Sequence, residues 1–181
     1  MLTERDFKSL VPASAQDLFS GAPLHTLEAG ERAILARLRT MTDAEFESLP
    51  YGSEGLWRKF MHACRSEATL EAIIAATKSK RYTRTRIDRM IMCAYLGIDR
   101  ALLTAPVPYA RVLAFTDKGR AILKDAKKTG RYLNAGERGE GPFWELEKRC
   151  EDLYGLFQVS GTGTPGAEEK RRIFYLENSG E

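Results

Sequence analysis

Apolar residues recur along most of the chain in steps of three and four, which is the spacing of one face of an α-helix. The longest such stripe runs from Phe143 to Phe157, and shorter ones lie within residues 27–40, 56–64, 70–77, 87–98 and 122–126. A residue that can cap a helix precedes most of these stripes, and we expect helices to begin there. The expected caps are Thr26, Thr42, Ser53, Thr69 and Thr85.

Patterns typical of β-strands are short and few. The segment YARVLAFT, residues 109–116, suits one buried strand or one helical turn, and RRIFYLE near the C-terminus suits an edge strand or a disordered tail. Residues 129–141 are rich in glycine and charge, which is typical of a loop. The pattern therefore predicts a mainly α fold, a compact helical bundle-like domain with two or three short β-strands.

Charge is distributed unevenly along the chain, although the net charge is only +3. Residues 1–52 carry five cations and eight anions, residues 53–131 carry seventeen and seven, and residues 132–181 carry six and ten. The net charges of the three parts are therefore −3, +10 and −4. A strongly basic middle between two acidic flanks is typical of a surface that binds a polyanion.

The cations are densest in residues 78–89, KSKRYTRTRIDR, which we call the basic segment. The helical stripe that starts at Ile87 places it on a loop and a first helical turn, with Thr85 as the N-cap and Asp88 as its capping-box partner. Cations at a helix N-terminus oppose the helix dipole, so their presence favours a bound anion such as a phosphate. A solvated charged loop is the alternative.

The candidate phosphate-binding residues lie in this segment and in a second basic stretch. They are Lys78, Lys80, Arg81, Thr83, Arg84, Thr85, Arg86 and Arg89, with Lys118 and Arg120 as the second patch. Tyr82 either stacks on a base or ribose or anchors the turn.

Motifs for catalysis, cofactors and metals are absent from the sequence. It has no GxxxxGK[ST] or GxGxxG phosphate loop, and neither His25 nor His62 has the neighbours of a nucleophilic system. Three widely spaced cysteines without CxxC spacing indicate neither disulfides nor a zinc site. No secretory leader or long apolar run is present. We therefore expect a cytoplasmic nucleic-acid-binding module with no catalytic residue, metal or cofactor of its own.

Four segments resemble one known family, in the same order along residues 45–157. They are SEGLWRKF, KSKRYTRTRIDRMIMCAYLGI, PYARVLAFTDKGRAILK and EDLYGLF. They are similar to the SEGL, KTKRYTRTRI, RVLGFNEKGR and TDIY segments in the C-terminal part of the bacterial tRNA(Met) cytidine acetate ligases. The sequence departs from that family in DRALLTAPV after Ile98, in RYLNAGERGEG, and beyond Phe157.

The resemblance implies an enzyme family that activates acetate with ATP and then acetylates the wobble cytidine of elongator methionine tRNA. The family's catalytic residues lie in an N-terminal HIGH-type nucleotidyltransferase domain, and the sequence has no HNGH-like motif. We therefore expect a C-terminal region that lacks this catalytic domain and binds tRNA without catalysis, with ATP and acetate used only by the full-length family.

Three segments are expected along the chain. Residues 1–27 would be a linker or the remnant of an upstream domain, residues 28–157 a helical RNA-binding domain, and residues 158–181 a flexible tail. Two alternatives stay open for the function: a DNA-binding helix-turn-helix, and a module whose basic segment binds an acidic protein or another domain.

Overall fold

Helices form most of the first half of the protein. The computed structural model describes residues 10–19, 26–130, 132–158 and 163–177. The helices of the first half are α1 (Ala13–Phe19), α2 (Glu31–Thr40), α3 (Asp43–Ser48), α4 (Leu56–Ser66), α5 (Leu70–Thr77), α6 (Arg84–Leu96) and α7 (Arg100–Thr104).

Short strands alternate with helices in the second half. The elements are β1 (Ala110–Val112), β2 (Ala114–Phe115), α8 (Asp117–Ala126), β3 (Tyr132–Asn134), α9 (Gly141–Tyr154), α10 (Ala167–Lys170) and β4 (Phe174–Tyr175). Single 3₁₀ turns follow α8 and α9. Within the described residues, no helix is long and apolar enough to cross a bilayer.

Helices α2 to α6 enclose one hydrophobic core, and their predicted apolar faces supply it. Phe46 of α3 and Phe60 of α4 are fully buried and meet edge to face, with ring centroids 5.9 Å apart. Phe157, just after α9, packs edge to face on Tyr95 of α6. A Cβ at Gly30 would lie 2.5 Å from the Phe157 ring, so only glycine leaves room for that ring. Phe157 therefore attaches the second half to the core.

Two of the five expected caps are confirmed. Thr69 accepts a hydrogen bond from the backbone N–H of Ala72 at the start of α5. Thr42 accepts one from the N–H of Glu45, and the Glu45 carboxylate accepts one at 2.8 Å from the N–H of Thr42. This reciprocal pair is a capping box.

The other three expected caps are wrong. Helix α2 begins at Glu31, after a turn that includes Thr26, and the N-cap of α4 is Gly55 rather than Ser53. The N-cap of α6 is Thr83, so Thr85 lies inside the helix and makes no capping box with Asp88. The physical reason lies in the preceding turn, where residues 79 and 82 exchange backbone hydrogen bonds and start the helix two residues earlier.

Parallel strand pairing makes the mainly α prediction wrong. Strand β1 pairs with β3 and strand β2 pairs with β4, both in parallel, with Ala110 opposite Tyr132 and Ala114 opposite Phe174. Parallel strands need long crossovers, and here α8 lies between β1 and β3 while α9 lies between β2 and β4. Such alternation of strand and helix is the pattern of an α/β fold. The sequence-based prediction missed it because residues 129–141, which contain β3, have the composition of a loop.

The helix-turn-helix alternative is not supported by the connection between α5 and α6. Six residues, 78–83, join the two helices, whereas a helix-turn-helix uses a turn of three or four. The division into segments 1–27, 28–157 and 158–181 stays a prediction, because residues 1–9, 20–25 and 178–181 lie outside the described part. His25 lies outside it too.

Candidate nucleic-acid interface

The basic segment is bound to the loop of residues 49–55, which precedes α4. The Arg86 guanidinium donates through Nε to the backbone oxygen of Tyr51 at 2.8 Å, and through Nη2 to the backbone oxygen and hydroxyl of Ser53 at 3.3 and 2.8 Å. The Tyr82 hydroxyl donates to the backbone oxygen of Glu54 at 2.7 Å. Two side chains of the segment therefore fix the backbone of a loop about 30 residues earlier in the chain.

That loop holds two non-glycine residues in the left-handed region. Tyr51 and Glu54 each have a φ of 63°, which costs on the order of 1–3 kcal/mol per residue and persists only where surrounding contacts impose it. The hydrogen bonds donated by Arg86 and Tyr82 end on backbone oxygens of these two residues and of Ser53. They supply the contacts that hold the strained loop.

Acidic residues neutralise three arginines of the basic segment. Arg84 makes two hydrogen bonds of 2.7 Å to the Glu71 carboxylate, and its Nε lies 3.9 Å from Asp88. Arg81 pairs with Glu54 at 3.1 Å. These arginines lower the pKa of Glu54 and of Glu71, chiefly through their hydrogen bonds, whereas burial raises the pKa of Asp88.

Arg86 also lies near the Glu54 carboxylate, at 3.6 Å. The cations at the start of α6 are thus compensated by local acids, which offsets their unfavourable interaction with the helix dipole. The placement that looks costly in sequence therefore has a structural reason.

Five cations on this side of the protein form no salt bridge within the described residues, although the charge of Lys78 helps to lower the pKa of Glu71. Lys78, Lys80 and Arg89 belong to the basic segment, and Arg58 and Lys59 lie on the first turn of α4. All five side chains are exposed, and Lys59 Nζ donates to the backbone oxygen of Lys78 at 3.3 Å. These five are the charges available to an anion.

The sequence-based prediction missed Arg58 and Lys59. They lie 19 or more positions before the basic segment, and they come close to it only after folding, as the contact between Lys59 and Lys78 shows. The +10 charge of residues 53–131 is the one signal that could have included them.

Tyr82 and the two threonines differ in accessibility. The Tyr82 ring is half-buried, and the guanidinium groups of Arg81 and Arg86 lie 5.9 and 5.7 Å from its centroid. With its hydroxyl bound to Glu54, Tyr82 anchors the turn. Thr83 and Thr85 are exposed at the start of α6, and Thr83 caps it without a side-chain hydrogen bond.

The second basic patch lies on α8, in the other half of the protein. Lys118 is exposed, and the Arg120 guanidinium lies over the rings of Phe115 and Tyr175, at 5.7 and 5.4 Å. Arg120 thus covers the side of the β2–β4 pair, a different element from the 49–55 loop to which the basic segment is bound.

An apolar cavity of about 730 Å³ lies away from the basic segment, between α6, α9 and β1. Met92, Leu146, Cys150 and Phe157 are among its lining residues. No group of three or more His, Cys, Asp or Glu side chains suited to a metal occurs within the described residues.

Comparison with known proteins identifies the family. The model of the HIGH nucleotidyl transferase family matches residues 2–163. The chain belongs to the HIGH nucleotidyl transferase family. The tRNA(Met) cytidine acetate ligase of Clostridium acetobutylicum is 35% identical over 98 residues, covering 51% of this chain and 24% of that protein. The ligase of Alkaliphilus metalliredigens is 32% identical over 133 residues, covering 67% and 31%.

Solved structures show the same relationship at the level of the fold. A crystal structure of Thermotoga maritima TmcAL without ligand matches with a TM-score of 0.75 and 19% identity, over 97% of this chain and 48% of that one. A structure of the same protein bound with alpha-thio ATP matches equally well, over 97% and 49%. The chain spans less than half of the length of each of these relatives.

These findings correct the sequence-based interpretation. The expectation of a non-catalytic C-terminal region that lacks the HIGH-type domain is wrong, because the HIGH nucleotidyl transferase model itself matches residues 2–163. That expectation rests on one short missing signature, HNGH, whereas the family match extends along most of the chain. The likeness to TmcAL, together with this family, also agrees with the α/β class rather than the mainly α one.

Proposed function

We propose that this protein is a nucleotidyltransferase of the tRNA(Met) cytidine acetate ligase kind. Its reaction would use ATP and acetate as co-substrates and a cytidine of tRNA(Met) as the acetyl acceptor. The observation that carries the proposal is membership of the HIGH nucleotidyl transferase family, with relatives named as tRNA(Met) cytidine acetate ligases. The ATP analogue bound to Thermotoga maritima TmcAL supports the choice of nucleotide.

Within this function, the basic segment and the start of α4 contact the phosphates of the tRNA. Exposed lysines and arginines without salt bridges bind phosphate oxygens most readily, because no internal ion pair has to break. Lys78, Lys80, Arg89, Arg58 and Lys59 meet this condition within the described residues. Thr83 and Thr85 add hydroxyl donors, while Arg81, Arg84 and Arg86 contribute positive potential from their ion-paired positions.

The direct test is acetate incorporation by the full gene product that contains this sequence. Purified protein is incubated with labelled acetate and tRNA(Met), with and without ATP, and label in the RNA is counted after nuclease digestion to nucleosides. We expect ATP-dependent label in a modified cytidine. A tRNA(Met) whose wobble cytidine is replaced by uridine is the matched control and should stay unlabelled.

Calorimetry gives an independent measurement on the same protein. We expect saturable binding of ATP and of tRNA(Met). Absence of labelled cytidine, combined with absence of ATP binding, would overturn the proposed reaction.

A further inference from the structure

Arginines and aromatic rings are paired repeatedly on the face formed by the 49–55 loop, the start of α4 and the basic segment. Arg58 lies over the Trp57 ring at 5.0 Å and Arg89 lies over the Tyr51 ring at 5.8 Å. The Tyr82 ring adds two further arginine contacts. Eight arginine–ring pairs occur within the described residues, and four of them fall within residues 51–89, which makes this face a local concentration.

The pairs divide into two kinds according to what else binds them. The arginines on Tyr82 are held by Glu54 and by backbone oxygens, so that ring is part of the scaffold. Arg58 and Arg89 have no acidic partner within the described residues, and their side chains are exposed. Of the four pairs, these two leave a planar cation open to a further flat ligand.

A backbone contact brings Gly52, the residue next to Tyr51, against Trp57. The backbone N–H of Trp57 donates to the oxygen of Gly52 at 3.1 Å, and a Cβ at Gly52 would lie 3.0 Å from the Cβ of Trp57. Gly52 follows Tyr51 directly, so the tight approach at this glycine brings Tyr51 close to Trp57. Both rings are half-buried against the core, which fixes them in place.

We propose that the Trp57–Arg58 and Tyr51–Arg89 pairs form a stacking surface for unpaired bases of the tRNA substrate. Bases of a single strand stack on aromatic rings and on guanidinium planes, whereas bases within a helix are stacked on one another and cannot. The exposed Lys59, Lys78 and Lys80 beside the pairs supply the contacts to the backbone of the same strand. This inference rests on the proposed function and adds the part of the tRNA that this face recognises.

Tryptophan fluorescence tests the proposal without altering the protein. The chain has two tryptophans, and Trp144 is 1% exposed, whereas Trp57 is half-buried on the proposed surface. Titration with the isolated anticodon stem-loop of tRNA(Met) should quench the Trp57 emission, because a stacked base quenches an indole. A duplex RNA of equal length should bind with little quenching. In the Trp57→Phe variant only the Trp144 emission remains, and it should not respond.

Affinity for the stem-loop gives the second measurement. Trp57→Leu should weaken binding about 5- to 150-fold, which is the range for losing one stacked base, while Trp57→Phe keeps a ring and should stay near the wild type. Arg58→Gln should weaken binding with less risk to folding, since its side chain is exposed. Tyr175→Leu is the matched control, because that ring also carries an arginine but lies on β4. Thermal melts check that each variant is folded.

The outcomes separate this inference from the proposed function. Binding of the stem-loop without quenching, and with equal affinity in Trp57→Leu and wild type, would overturn the stacking surface and leave the proposed function standing. If the protein does not bind tRNA(Met) at all, both the stacking surface and the proposed function are overturned. Equal quenching by poly-glutamate would show that the face binds acidic protein instead of bases, and would also overturn the proposal.

Discussion

Arg86 illustrates how a residue chosen as an RNA ligand can be needed first for the fold. Its three hydrogen bonds end on Tyr51 and Ser53, in a loop where two residues hold left-handed backbone conformations. A phosphate that binds at Nε or Nη2 of this guanidinium would compete with those acceptors, and one at Nη1 would compete with Glu54. Substitutions in the basic segment therefore have to be divided into those that disturb the 49–55 loop and those that leave it intact.

Replacement of Arg86 by alanine should destabilise the protein by about 2–3 kcal/mol, because three hydrogen bonds from a charged donor to the 49–55 loop are lost, one of them to a partly buried acceptor. Urea denaturation at neutral pH measures this difference. Lys124→Ala, on the exposed face of α8, is the control and should change the free energy of unfolding by less than about 0.5 kcal/mol. Equal stabilities of the two variants would contradict a structural role for Arg86.

Gly55 offers a test of backbone conformation alone. Its φ is 82° and no atom lies within 4 Å of a Cβ built on it, so Gly55→Ala introduces no clash. We expect a loss of about 1–2 kcal/mol, the cost of placing an L-residue in the left-handed region. Thermal unfolding followed by circular dichroism would measure the change, and an unaltered melting temperature would contradict a left-handed N-cap at the start of α4.

At the scale of the elements, helix starts were predictable where the cap is local and not where a distant contact determines the start. Thr42 and Thr69 bond within three residues of themselves, and sequence alone identified both. The turn before α6 is closed by backbone hydrogen bonds between residues 79 and 82, and Tyr82 is held there by the hydrogen bond from its hydroxyl to Glu54, 28 positions earlier. No local pattern contains that contact, so the prediction of Thr85 as the cap was wrong. The apolar faces of α2 to α6 were predictable because helical periodicity is local as well.

The capping box of α3 should make stability depend on pH. Hydrogen bonds from the Thr42 N–H, and then from Arg37, lower the pKa of Glu45 from 4.5 to about 2. Because the pKa is lower in the folded state, the stabilisation is complete above pH 4.5 and is lost as the pH falls towards 2. An NMR titration of the Glu45 carboxyl carbon should give a midpoint near 2, and a midpoint near 4.5 would exclude the box.

Two variants check the same capping box by stability. Thr42→Ala should cost about 1 kcal/mol at neutral pH through the lost cap. Glu45→Gln should flatten the decline in the free energy of unfolding between pH 4.5 and 2, since the titrating group is gone. If Glu45→Gln keeps the wild-type pH profile, the decline in the free energy of unfolding comes from other carboxylates, such as Glu54 and Glu71, whose pKa values are also lowered.

For the whole molecule, the division between paired and unpaired cations predicts which substitutions change RNA binding. The triple variant Lys78→Ala, Lys80→Ala and Arg89→Ala removes cations that form no salt bridge within the described residues. If each contacts one phosphate, the slope of log affinity for tRNA against log salt should fall by roughly 2–3 units. Fluorescence anisotropy at several salt concentrations measures the slope.

A triple variant on α8 and the turn after it is the matched control for that experiment. Lys124, Lys127 and Lys128 are exposed and equal in formal charge to the first set, and Lys128 is paired with Asp125 at 3.0 Å. Replacing them should change the salt slope less. Equal effects of the two triples would mean that binding follows net charge and that the basic segment has no special role.

The site as a whole was predictable in part. The density of cations in residues 78–89 and the charge of +10 across residues 53–131 identified the stretch of chain on which the proposed interface lies. Which of those cations are free could not be seen, because their acidic partners Glu54 and Glu71 lie 13 to 32 positions away and meet them only after folding. The parallel strand pairs were missed because each strand has only two or three residues, which is too few to show a periodicity in the sequence.

The pairing of β2 with β4 also bears on how the protein is made. Strand β2 cannot pair at Ala114 before Phe174 of β4 has been synthesised. The buried residues of the core of α2 to α6, apart from Phe157, are all present once Leu96 has been synthesised. At about 5–20 residues per second, the ribosome needs about 4–16 s to add the chain from Leu96 to Tyr175. Helices form within microseconds, so the first half has time to fold while the second is still unfinished. Until Phe157 has been synthesised, Tyr95 lacks this partner, and the apolar face on which α9 later lies has no cover.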